Sequence, residues 1–328
     1  MKPSLRPLAV AACLSALATL PACQSGQDPL TRETPTTTAA ISEKVIELRE
    51  TNLIANFYPA SGAAAPGPAI LMLGGSEGGL SDSVSRDARA LRAEGFSVLQ
   101  VSFYRFEGQE QNLEMVPLER FDRALDWLLA RDEVDASRVG IFGTSKGAEA
   151  ALIVASRRPE LNAIVAVVPS SVSWTGINWD FDERPPESSW STNGEAYPAL
   201  PYGDFDYKTG LYSLYANGLD RVVDHPDAAI AIENTSAATL LICGGADALW
   251  PSCPMAEAID ARAEAMDGPD VTVLTYPEAG HGAGGLPSVT LDPETADEPL
   301  DWGGTRRTNR AAQKDSWPKT VAFLKETL

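Results

Sequence analysis

The stretch VGIFGTSKGAEAALIVAS, Val139–Ser156, places a serine between two glycines at the join of two differently patterned segments. Val139-Gly-Ile-Phe142 is an apolar run of the kind that forms a strand covered on both faces, and the Ala-rich run from Ala148 to Ser156 favours a helix. Between them, Gly143-Thr-Ser145-Lys-Gly147 fits G-x-S-x-G. In that pattern a sharp strand-to-helix turn pushes the serine oxygen outward, and small neighbours let the backbone pass. Five residues alone do not distinguish a nucleophile from a small residue in a tight turn, so the reading depends on the rest of the chain.

Working outward, strands and helices alternate. Lys44 to Glu50 and Asn52 to Pro59 read as opening strands, and Ser61 to Pro68 as a Gly/Ala/Pro-rich connector. Ala69 to Leu73 is a buried-type strand that runs into Gly74-Gly-Ser-Glu-Gly-Gly79. Val84 to Glu94 has helical spacing, Phe96 to Phe103 reads as a strand, and Leu118 to Arg131 places Leu118, Phe121, Leu125 and Leu128 on one helix face. After Ser145 come a strand from Leu161 to Val168, a strand from Ala238 to Cys243, a helix near Pro254 to Ala265, a strand from Val271 to Tyr276 and a closing helix from about Arg310 to Glu326. This alternation predicts an α/β fold with a mostly parallel central sheet flanked by helices, whose ligands gather at the carboxyl ends of the strands. It is interrupted at about 170–237 by an aromatic-rich insert carrying Trp174, Trp179 and Trp190.

A nucleophilic serine needs a base and an acid to orient that base. The chain has two histidines. His281 follows a strand, in Pro277-Glu-Ala-Gly-His281-Gly, whereas His225 lies in irregular Asp224-His-Pro226 with no strand to aim it. Asp247 turns out of the strand Leu240-Leu-Ile-Cys243 through Gly244-Gly-Ala. Ser145, Asp247 and His281 therefore stand at three strand ends in the chain order of α/β-hydrolases, which makes them the candidate triad. Backbone N–H groups of Ser76 or Glu77 and of Lys146 are the candidate oxyanion hole. The glycine loop lacks the G-K-[ST] of a phosphate-binding loop, and Glu77 would repel a phosphate.

As a set, LMLGGSEGG, GIFGTSKGAEAAL, LICGGADALWPS, YPEAGHG and DWGGTRR resemble the catalytic domain shared by acyl-CoA thioesterases and bile acid-CoA:amino acid N-acyltransferase. The resemblance runs from about Ala69 to Leu328. It implies an α/β-hydrolase fold with Ser145, Asp247 and His281 as triad and no cofactor or metal. In the transferase branch the nucleophile is cysteine, so Ser145 resembles the hydrolytic branch. Those enzymes also carry an N-terminal β-sandwich, and Ser25 to Pro68 is too short for one. The expected activity is hydrolysis of an acyl ester or thioester through an acyl-enzyme. The alternatives are a peptidase, a dienelactone-type hydrolase, or a catalytically silent envelope-binding module on the same fold.

The amino terminus sets the expected compartment. Lys2 and Arg6 precede the apolar run Leu8 to Leu20, too short to span a bilayer, and Leu20-Pro-Ala-Cys23 resembles the lipobox of bacterial lipoproteins. Residues 1–22 are thus expected to be a lipoprotein signal peptide, Cys23 the lipidated first residue, 23–43 a flexible tether and 44–328 the catalytic domain. That organisation implies a membrane partner through a lipid anchor and a bacterial cell-envelope location, with Gln24 favouring the outer membrane. With 26 basic against 45 acidic residues and a net charge of −19, the chain is not expected to bind nucleic acid. The same balance and compartment predict an uncharged or weakly charged small-molecule substrate and make acyl-CoA a poor one, with Trp174 or Trp179 lining its pocket. Of the four cysteines, Cys243 and Cys253 remain after the leader and the lipid site; both are expected as free thiols, with a bridge between them as the alternative.

Overall fold

The structure, a computed structural model of the chain, describes residues 44–60, 66–180, 184–287 and 291–328. These fall within one compact unit, Ile41–Leu328. The expected leader, Cys23 and the tether lie outside the described residues.

Eight strands form the central sheet. They are β1 (Ile46–Glu50), β2 (Leu53–Tyr58), β3 (Gly67–Leu73), β4 (Ser97–Ser102), β6 (Val134–Thr144), β7 (Ala163–Val167), β10 (Ala238–Gly244) and β11 (Val271–Tyr276). A second, three-stranded sheet is made of β5 (Val116–Pro117), β8 (Trp190–Thr192) and β9 (Glu195–Ala196). The large sheet has the order β1-β2-β4-β3-β6-β7-β10-β11. Pairings β1–β2 and β2–β4 are antiparallel and the rest parallel, which is the mostly parallel sheet expected of an α/β-hydrolase. The central strands read as unbroken apolar runs because both faces are covered, and every residue of β4 and β7 is buried.

The covering helices are α1 (Asp82–Ala93), α2 (Glu119–Leu129), α3 (Lys146–Ala155), α5 (Ser252–Ala265) and α6 (Arg306–Thr327). Leu125, Leu128, Leu152 and Ile259 fill one side of the sheet, and Leu91, Ala312 and Leu324 fill the other. Helix α6 begins earlier than the apolar spacing suggests because Thr305 and Thr308 form a reciprocal cap: Thr308 N–H donates to Thr305 Oγ1 at 3.1 Å and Thr305 N–H to Thr308 Oγ1 at 2.8 Å. Among the described residues no helix is long and apolar enough to cross a membrane.

The insert has its own core. Tyr215 of helix α4 (Leu211–Leu219) packs with Val172, Trp174, Leu200 and Trp250. Trp174 is 0 % exposed, stacked on Tyr202 and edge-on to Tyr215, so the expectation that it lines a pocket is overturned. Truncating so enclosed an indole opens a cavity costing about 3–5 kcal/mol, the signature of a core residue. Trp179 is only half-buried, with the Arg105 guanidinium 5.1 Å from its ring centroid.

Cys243 and Cys253 are joined in a disulfide, which corrects the expectation of free thiols. Cys243 does face the core, but α5 begins on that same face and brings Cys253 into the same apolar cluster, with the Cα atoms 5.0 Å apart.

Candidate active site

Each proposed side chain leaves the carboxyl end of a parallel strand. Ser145 follows β6 with φ 55° and ψ −120°, a conformation that side-chain-bearing residues rarely adopt. Surrounding bonds hold it there: its N–H donates to Val167 O at 2.9 Å, and its carbonyl accepts from Ala148 and Glu149 at 2.8 and 3.0 Å. The flanking glycines are obligatory. A Cβ on Gly143 would lie 2.1 Å from Gly147 O, and one on Gly147 would lie 2.0 Å from Gly74 O. That second approach presses the start of α3 against the glycine loop after β3.

The three side chains meet. His281 Nε2 is 2.9 Å from Ser145 Oγ, and His281 Nδ1 is 2.9 Å from Asp247 Oδ2. Asp247 Oδ1 accepts the amides of Leu249 at 3.0 Å and Trp250 at 3.2 Å, so both carboxylate oxygens are committed and the carboxyl cannot swing away. Side-chain exposure falls along the chain of bonds, from 13 % at His281 to 1 % at Asp247. Such an arrangement can take the serine proton on the outer ring nitrogen while the carboxylate holds the inner one. His225 stands apart, its backbone closing two short 3₁₀ turns with Val222 and Ala228.

The acid and base loops are built against each other and against Trp302-Gly-Gly304. Ala246 N–H donates to Ala279 O at 2.9 Å, and His281 N–H donates to Trp302 O at 2.9 Å. Asn309 joins two of these loops, accepting Gly280 N–H at 2.6 Å and donating to Gly303 O at 3.3 Å. The Trp250 ring meets the imidazole edge-on at 5.5 Å. The disulfide closes the ten-residue span that carries Asp247.

On the other side of Ser145, a Cβ on Gly75 would lie 3.3 Å from the serine Cβ, so the glycine loop borders the nucleophile directly. Glu77 folds back beneath it and accepts from Ser81 Oγ at 3.2 Å. Its oxygens occupy the space a side chain on Gly74 or Gly75 would need, at 2.6 and 2.8 Å. The Tyr104 hydroxyl donates to Ser76 O, and burial pushes that phenol up to about 12. Lys146 opens α3, where its amide has no carbonyl one turn back to bond. Its side chain turns away from the site: Nζ is 2.7 Å from both Glu149 Oε2 and Ser189 Oγ. Burial pulls the ammonium below its ordinary range, against the opposing pull of Glu149. Glu149 Oε1 in turn accepts Trp190 Nε1 at 2.7 Å and Trp174 N–H at 3.0 Å, fastening the nucleophile helix to the insert.

The sequence reading did not find Tyr104, Glu149 or Asn309. Only Glu149 carried a signal, as a charge in an otherwise apolar helix, three residues after Lys146. Among the described residues no three His, Cys, Asp or Glu side chains gather where a metal ion could sit.

Comparison with known proteins adds to this geometry. The family model described as BAAT / Acyl-CoA thioester hydrolase C terminal matches residues 116–328. Acyl-coenzyme A thioesterase 3 of Mus musculus is 27 % identical over 286 residues, 85 % of this chain and 62 % of that protein. Human mitochondrial acyl-coenzyme A thioesterase 2 is 28 % identical over 271 residues, 80 % and 53 %. Bile acid-CoA:amino acid N-acyltransferase of Mus musculus is 26 % identical over 294 residues, 87 % and 66 %. The chain thus spans between about half and two thirds of the length of these relatives. Among solved structures, a dienelactone hydrolase from Klebsiella pneumoniae superposes with TM-score 0.52 at 18 % identity, covering 83 % of this chain and 92 % of that one. A puromycin-hydrolysing peptidase from Mycobacterium tuberculosis gives 0.53 at 18 %, covering 84 % and 37 %. At those identities the likeness is one of fold.

Proposed function

The chain belongs to the BAAT / acyl-CoA thioester hydrolase C-terminal family, and from that premise we propose that it is a serine hydrolase cleaving acyl esters or thioesters through an acyl-enzyme. The observation that carries this reading is the unbroken pair of 2.9 Å contacts from Ser145 through His281 to Asp247. His281 takes the proton from Ser145 Oγ as that oxygen attacks the acyl carbonyl. Asp247 holds the tautomer and orientation, and the developing oxyanion is received by the amide of Lys146 and an amide of Ser76 or Glu77. The imidazolium then gives its proton to the departing oxygen or sulfur, and water repeats the sequence to release the acid. A serine in place of cysteine favours water as acceptor over an amine. Ser145→Ala and His281→Ala should each lower turnover of a reactive thioester by on the order of 10⁴-fold or more, while urea unfolding stays within about 1 kcal/mol of the parent. A purified Ser145→Ala protein with parental turnover would end this mechanism.

In this reading the enzyme is tethered to the cell envelope by lipid on Cys23, supported by the Leu20-Pro-Ala-Cys23 spacing and the polar run behind it. Mass spectrometry of the mature amino terminus should find a diacylglyceryl-modified Cys23 with residues 1–22 gone. Residues 1–22 intact on the mature protein would refute it.

A further inference from the structure

Tyr104 stands just past the end of β4 and is completely buried, yet its side chain ends in a polar atom. A buried phenol needs a partner for its O–H, and this one donates to the carbonyl of Ser76 in the glycine loop. The same residue grips the loop again through its backbone, where its carbonyl accepts Gly79 N–H at 2.8 Å. Between the two anchors the loop is pressed onto the ring. A Cβ on Gly78, whose φ is +69°, would stand 3.0 Å from Tyr104 Cε1 and 2.6 Å from Arg105 Cβ.

The backbone of the loop has little else to fix it. β3 ends at Leu73, so no strand ladder reaches Ser76, and the amides of Ser76 and Glu77 donate to no described residue. The turn bond from Gly78 N–H to Gly75 O is long, at 3.4 Å. Free amides are what an oxyanion hole requires, but they stabilise developing charge fully only when they are already aimed at it. A trans peptide is planar, with its C=O and N–H on opposite edges. Holding Ser76 O on the Tyr104 side therefore fixes the direction of Glu77 N–H, which shares that plane, and restrains Ser76, whose own amide is the other candidate donor.

We propose that Tyr104 is a positioning residue of the oxyanion hole: by holding Ser76 O, its hydroxyl preorganises the Ser76 and Glu77 amides for the oxygen that becomes negative as Ser145 attacks. The inference rests on the hydrolase reading above. Tyr104 acts through the loop, so its loss should fall on the transition state and spare binding of the ground state. Burial pushes the phenol up to about 12, which keeps its proton in place for donation near neutral pH.

Tyr104→Phe keeps the ring and removes the donor. It should lower kcat for a reactive thioester by about tenfold to a hundredfold while KM stays within about twofold of the parent. An alkylboronic acid, which forms a tetrahedral adduct with an active serine, should bind the variant more weakly by a factor close to the loss in kcat/KM. The thioether analogue of the substrate, which lacks the carbonyl, should bind both proteins alike. Replacement of Tyr104 by para-aminophenylalanine, which returns an N–H donor to the same place, should recover part of the lost kcat. Parental kcat in Tyr104→Phe, or no recovery with the amine, overturns the assignment. So does a loss shared by kcat, thioether affinity and urea stability together, which would make Tyr104 a packing residue alone. Fluorophosphonate labelling of the parent at Ser145 reports on the hydrolase reading separately: a labelled, active parent beside an equally active Tyr104→Phe protein sinks this inference and leaves that reading standing.

Discussion

Asp87 lies on α1 beneath the base loop, so close that a Cβ on Gly285 would sit 2.8 Å from its Oδ2. Burial raises its carboxyl from 3.8 to about 6, against the lowering pull of Arg86 and the Leu286 amide. Between those two values the folded chain holds the proton and the unfolded chain does not, so this group makes stability fall as pH rises through that window. The penalty is complete above about 6, at most about 3 kcal/mol. Asp87→Asn should therefore gain stability over the parent at pH 7.5 and little at pH 4, read from urea midpoints at each pH. An equal effect at both would show that ionisation of Asp87 is not what costs the fold. Residue by residue, the candidate triad was legible because each member follows an apolar strand and a glycine turn. Asn309 and Glu149 were not, because their roles are defined only by loops and side chains that arrive from elsewhere in the chain.

Among elements, the span from β10 to α5 has most bearing on the site, since it carries Asp247 and Trp250 and is closed by the Cys243–Cys253 bridge. In the chain-entropy account a loop of this size contributes about 2–3 kcal/mol. Unfolded, unreduced protein should show no free thiol at these two positions. Reduction should lower the melting temperature and lower kcat through looser orientation of His281. Two titratable thiols before reduction would contradict the bridge. The long elements were legible from spacing, within a few residues at their ends. The strand leading to Ser145 is longer than its apolar stretch, extending back to Val134, because buried Val134 pairs with Gly67 at the start of β3 before an irregularity in register ahead of Val139. The insert was legible only as an interruption. Its strands β8 and β9, like the β5 strand outside it that pairs with β8, span two or three residues each, too few to show a period, and tertiary packing alone buries Trp174 and Trp190 fully and Trp179 by half.

For the molecule as a whole, the fold class could be read from sequence because a parallel sheet covered on both faces leaves continuous apolar runs alternating with amphipathic helices. Charge was less informative. A net −19 describes the average surface and says nothing of the local charge at the site. The central claim is that the strained residue after β6 is the nucleophile of this protein. Intact-protein mass spectrometry after treatment with a fluorophosphonate tests it most directly. The account predicts one adduct per chain, mapped by peptide sequencing to Ser145, and none on Ser145→Ala. An adduct on another residue, or an active protein that the reagent neither labels nor inhibits, would contradict it.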